Sequence, residues 1–325
     1  MSDLRRREVI TLLSGAAAAW PLAARAQQAG RRMPRIGVID DAPNWDHFRQ
    51  SLRDFGYVER QNIAIEYRSA QDNIDRLSRA ALELASLPTD VIVVHGSPAT
   101  RAARRATSTI PIVTIGVGDP VRAGFATNLA RPEGNITGNS QLSPDLIGKR
   151  LEILKECVPG LVRVAFLWNP DNDSNLVFLE ELITAVPTLG LQLVSAPMRT
   201  SDDFERTFAA MMQRRPNAFV MTADPLGQRH INQITNFMAS HRLPAMYQLK
   251  ENVAAGGLMA YGVSLPVLFR RGAWYVHRLL QGAKPAELPI EQATKFELTI
   301  NLKTAKALVL TIPPGVLAIA DEVIE

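Results

Sequence analysis

Cysteine is almost missing from this chain: Cys157 is the only one in 325 residues. No internal disulfide can form, and a racemase built on two opposed thiols is excluded. Cys157 falls in an apolar helical pattern, Leu151-Glu152-Ile153-Leu154-Lys155-Glu156-Cys157-Val158, where a free thiol packs as a small hydrophobe. The histidines, His47, His95, His230, His241 and His277, are scattered and make no metal pair at helical spacing. Gly116-Val117-Gly118 lacks the third glycine of a dinucleotide loop, and Gly148-Lys149 lacks the rest of a phosphate loop. Gly96-Ser97-Pro98 lacks the flanking glycines of a nucleophile elbow. Asp171-Asn172-Asp173-Ser174-Asn175 opens like a calcium loop, but Leu176 and Leu182 stand where that loop needs glycine and glutamate. It reads instead as a polar loop that caps the next helix. Asp40 and Asp41, neighbours at a strand end, point to opposite sides and make a poor acid pair. The expectation is a chain with no catalytic residue, no metal and no cofactor.

What is present begins at the N-terminus. Arg5-Arg6-Arg7, a short apolar middle and Ala24-Arg25-Ala26 have the order of a secretory signal peptide over residues 1–26. The Arg6-Arg7 pair with Val9 and Ile10 resembles the twin-arginine type. The apolar run from Val9 to Leu22 is shorter than the roughly 20 residues that span a bilayer, and no later stretch approaches one. Cleavage near Ala26 would leave a soluble periplasmic chain. With no cysteine at the cleavage point, lipid attachment is excluded. The leader holds four arginines and two acids, so the remainder carries 32 basic against 30 acidic residues. That near balance is weak support for nucleic acid as a partner. Arg101, Arg104 and Arg105 lie at helical spacing as one solvated face.

The rest, from Gln27 onward, is long enough for about two domains. Strand-like runs at 35–39, 63–67, 91–94 and 112–115 alternate with helical patterns at 45–55 and 73–86. The pattern then restarts, with helices at 148–158, 175–186 and 201–212 and strands at 162–167, 191–194 and 218–221. This alternation predicts an α/β fold with two doubly wound parallel sheets. Asp90 to Pro98 aligns with Asn217 to Pro225, and Ile110-Pro111 with Leu243-Pro244, offset by 127 and 133 residues. Two matches in the same order point to duplication.

In open parallel sheets ligands sit beyond the carboxyl ends of the strands. Those ends carry Asp40-Asp41, His95-Gly96-Ser97, Gly116 to Pro120, Trp168-Asn169, Thr222 to Asp224 and Tyr247-Gln248. Ser97, at a helix start, suits a carboxylate, and Asp224, its counterpart in the second half, suits an ammonium. The alternative for both is helix capping alone. Asp119, before Pro120, is a further acidic candidate or an ordinary turn residue. Trp45 and Tyr261 offer flat faces for a ligand or simply fill cores.

Several stretches resemble a known family: Phe55-Gly56-Tyr57-Val58-Glu59 with Asn62-Ile63, Ser97-Pro98-Ala99, Gly118-Asp119-Pro120-Val121, Arg131-Pro132-Glu133-Gly134-Asn135-Ile136-Thr137-Gly138, and Asn301 to Ala307. The chain resembles the bacterial ABC-transporter substrate-binding proteins that include tryptophan- and tyrosine-binding members. It departs from their usual hydrophobic-Thr-Asp-Pro order by placing Gly118 before Asp119. The resemblance implies a type I periplasmic-binding fold with a hinge between its lobes. The N-lobe would take residues 34–138 plus about 263–292, and the C-lobe 139–262 plus about 293–325. It also implies a small ligand, an amino acid or related acid, held by Ser97, Thr114, Asp119, Ser140, Asn169 and Asp224. Delivery would be to an ABC permease in the inner membrane, by a monomer without nucleic acid as a partner. An exported ligand sensor for a membrane receptor, or an exported small-molecule enzyme, stand as alternatives.

Overall fold

The first strand is a run of small and β-branched residues, β1 (Arg35–Ile39), buried along almost its whole length. The computed structural model describes residues 32–39, 44–70, 74–141 and 146–325. The expected leader and the Asp40-Asp41 pair lie outside the described residues. After β1 come α1 (Trp45–Asp54), β2 (Ala64–Arg68), α2 (Ile74–Ser86), β3 (Val91–His95), α3 (Gly96–Ala106), β4 (Ile112–Val117) and β5 (Ile136–Ser140). β3 and β4 are apolar and almost fully buried, as central strands covered by helices on both faces must be.

The second half runs α4 (Leu146–Cys157), β6 (Arg163–Trp168), α5 (Asp173–Thr188), β7 (Gln192–Pro197), α6 (Phe204–Gln213), β8 (Ala218–Met221), α7 (Pro225–Arg229), α8 (Ile231–Ser240), β9 (Ala245–Tyr247), α9 (Lys250–Ala254) and β10 (Met259–Val263). The tail adds α10 (Leu265–Leu280), β11 (Glu291–Gln292), β12 (Phe296–Asn301), α11 (Leu302–Ala307), α12 (Pro314–Ala318) and β13 (Glu322–Ile324).

Two sheets result. One has the order β11-β5-β4-β3-β1-β2 and the other β13-β12-β10-β9-β8-β6-β7. Every pairing is parallel except β10 with β12. Within each half the first five strands occupy the same positions, β2-β1-β3-β4-β5 against β7-β6-β8-β9-β10. The sequence matches fall on these equivalents, β3 with β8 and β4 with β9. The chain passes between the sheets after β5, after β10 and after β11. β5 keeps Asn139 and Ser140 in the first sheet, just past the boundary expected at 138.

Helix α10 leaves the second sheet and packs on the first. It reaches β4 closely because Gly272 carries no side chain: a Cβ there would lie 2.5 Å from Ile115 Cδ1. Its residues Phe269, Ala273 and Val276 join Ile36, Val38, Trp45 and Phe48 in one buried core. Ala223, Leu249, Val263 and Leu265 complete that same core, so strand ends of the second sheet reach the first lobe. Among the described residues no helix is long and apolar enough to cross a membrane.

Candidate functional site

The carboxyl ends of the two sheets meet. A Cβ on Gly96, just after β3, would stand 3.4 Å from Pro225 Cγ, just after β8. Ser97 Oγ lies 2.7 Å from Ser174 Oγ at the start of α5. Arg101 on α3 pairs with Asp173, and Arg122 with Glu180, both across the lobes. Gly118 faces Ser174 so tightly that any Cβ would collide with the Ser174 hydroxyl. The lobes are therefore closed on each other. Beside this seam lies a cleft walled by Ile39, His95 and Ala99 from one lobe and Asn169, Asp224 and Leu226 from the other.

The structure gives each expected site residue a definite place. Ser97 is buried and its hydroxyl also accepts from Gly118 N at 3.2 Å. Thr114 is buried on β4, its hydroxyl 2.7 Å from that of Thr100, which donates to Gly96 O. Ser140 Oγ donates to Gly118 O at 2.6 Å. These three tie the loops after β3 and β4 together and set the seam. Asp119 Oδ1 accepts from Val121 N and Arg122 N, the turn role that sequence alone allowed. Asn169 lines the cleft, with its Oδ1 accepting from Asp171 N.

Asp224 joins two roles. Oδ1 accepts from Leu226 N and Gly227 N, capping α7, and Oδ2 accepts from Asn172 Nδ2 at 2.7 Å. Asn172 Oδ1 in turn accepts from Ser174 N, capping α5. The polar loop 171–175 thus caps a helix, as its composition suggested, and also orients the Asp224 carboxylate in the cleft wall. Trp45 is only 2% exposed and meets Phe48 and Phe269 edge-on. Tyr261 sits half-buried on β10 against the second lobe's core, beside Phe296, and its carbonyl accepts from Arg150 Nε.

Sequence reading passed over His95 as a site residue. Its ring tilts over Phe269 at 5.2 Å, and neither ring nitrogen reaches a hydrogen-bond partner or solvent. Burial lowers its pKa to about 4, so it is neutral. Gly116, whose φ of +60° suits glycine, lies beside the ring. Only its place at the end of an apolar strand signalled it. Cys157 is buried, and burial followed by Glu156 raises its thiol pKa to about 11. Among the described residues there is no cluster able to hold a metal ion.

Two α/β lobes that meet at their strand ends around a polar-walled cleft make a two-lobed binding protein of the type I periplasmic-binding class. The chain belongs to the ABC transporter substrate binding protein family, whose sequence profile matches residues 43–324. That is a family of solute binders and not of enzymes. A tyrosine-binding protein of Clostridioides difficile (strain R20291) is 25% identical over 284 residues, covering 86% of this chain and 81% of that protein. A Streptococcus pneumonia ABC domain in complex with L-Trp has a TM-score of 0.84 at 23% identity, covering 90% of this chain and all of that one. The ligand-free, open structure of a Clostridium difficile substrate binding protein with adhesive properties has a TM-score of 0.62 at 22% identity, covering 90% and 99%.

Proposed function

We propose that this protein is the periplasmic solute-binding component of an ABC importer, clamping an amino acid or related small acid for delivery to an inner-membrane permease. The single observation that carries the ligand class is Asp224: a buried carboxylate held in the cleft wall by Asn172, where it can meet an ammonium. The ligands named for the tyrosine-binding relative and the L-Trp complex support the same class. On this reading residues 1–26 are removed on export, and the lobes are 34–138 with about 263–292, and 139–262 with about 293–325. A monomer suffices, because both walls of the cleft come from one chain.

A ligand that binds only the folded state raises its melting temperature. At a hundredfold excess over Kd the gain is about 2.7 kcal/mol, or roughly 5 °C for a chain of this size. Asp224→Asn removes the charge and keeps an amide oxygen to cap α7, but sets its amide nitrogen against Asn172 Nδ2. It should weaken amino-acid binding at least tenfold, and the lost Asn172 hydrogen bond should lower the melting temperature of the ligand-free protein. Unchanged affinity in Asp224→Asn would reduce Asp224 to a helix cap.

A further inference from the structure

We propose that His95, Trp45 and Gln248 form the place where the ligand's carboxylate is received. This rests on the amino-acid reading above and assigns the other end of the ligand. Trp45 and His95 flank the same ring, Phe269, with centroids 5.1 and 5.2 Å from it. Gln248 comes from the opposite lobe. Its Oε1 accepts from Ala223 N at 2.9 Å, and Ala223 and the neighbouring Leu249 pack into the same core as Trp45 and Phe269. The side chain is thereby held at the junction of the lobes, and His95 lines the cleft between them.

All three are shielded and unsatisfied. Trp45 is 2% and Gln248 1% exposed. Trp45 Nε1, Gln248 Nε2 and both His95 nitrogens have no hydrogen-bond partner. Buried polar groups are almost always paired, and leaving one unpaired is costly. Three such groups around one core that both lobes build mark a recognition site. Donors prevail among them: the indole and the amide nitrogen only donate, and the neutral imidazole offers one donor beside one acceptor. An oxyanion is the group that matches several donors at once. Ser97, the expected carboxylate partner, already shares its hydroxyl between Ser174 and Gly118.

The test is calorimetry on the whole protein with L-tyrosine, L-tryptophan, their carboxamides, and the deaminated 3-(4-hydroxyphenyl)propionate and indole-3-propionate. The acids should bind at least tenfold more tightly than the carboxamides, which bring N–H donors to donors. Gln248→Glu keeps the acceptor for Ala223 N but sets a charge against the carboxylate. It should weaken the acids at least tenfold and narrow the gap to the carboxamides. Trp45→Phe keeps the ring and should narrow the same gap. A merely structural role would weaken acids and carboxamides equally, and that result overturns the inference, as does equal wild-type affinity for the two. Propionates that bind where the amino acids do not would sink the amino-acid reading while the same variants still decide the carboxylate site. A wild-type protein that binds none of the acids overturns both.

Discussion

At the residue scale the site is built from polar side chains that answer to neighbours first. Ser97, Thr114 and Ser140 hold loops, and Asp119 holds a turn. His95, by contrast, is a neutral ring with no partner. Its pKa of about 4 lies below the ordinary 6.5 because of burial. Between those values the unfolded chain takes up a proton that the folded protein refuses. Stability is therefore full above pH 6.5 and falls as pH drops through that window, by roughly 1.4 kcal/mol per unit. From pH 7 to 5, urea unfolding of the wild type should lose about 2 kcal/mol more than that of His95→Asn. Parallel losses in the two proteins would contradict a buried neutral His95.

At the element scale, the closed form depends on α3 and the loop after β4 meeting the first turns of α5. Gly118 is the tightest point of that contact. Gly118→Val should hold the lobes apart, weakening ligand binding at least tenfold while the folded lobes keep their own cores. Small-angle scattering would then show no compaction on ligand addition; a variant that still closes would remove Gly118 from the seam. The exposed Arg122–Glu180 pair adds little by itself, as surface pairs do.

The elements themselves were largely legible. Apolar runs announced β1, β3, β4 and β8, and two prolines announced the helices after β3 and β8. β5 gave no such signal because Thr137, Asn139 and Ser140 fill it. Those residues are buried only because Leu288 O, Gly116 N and Gly118 O satisfy them. That accounting is tertiary and leaves no periodicity. α5 also runs two residues beyond the expected stop at 186, since Pro187 fits within its last turn. For the site, the strand-end loops singled out in the sequence meet at the seam between the lobes. Which side chains stay free within them depends on partners supplied from across the lobes, as Ser174 does for Ser97 and Asn172 for Asp224.

At the scale of the whole molecule, duplicated lobes, a closed seam and a cleft with a buried carboxylate describe a clamp. Members of the family bind solutes, and nothing in the cleft pairs a nucleophile with a base among the described residues. The account therefore requires one ligand per chain, taken up by closure and released unchanged. Titration calorimetry of the purified protein with L-tyrosine and L-tryptophan, followed by recovery and analysis of the ligand, tests this most directly. The account predicts saturable binding at one ligand per chain with the amino acid recovered intact. Absence of binding to these and to every other amino acid, or recovery of a converted product, would contradict it.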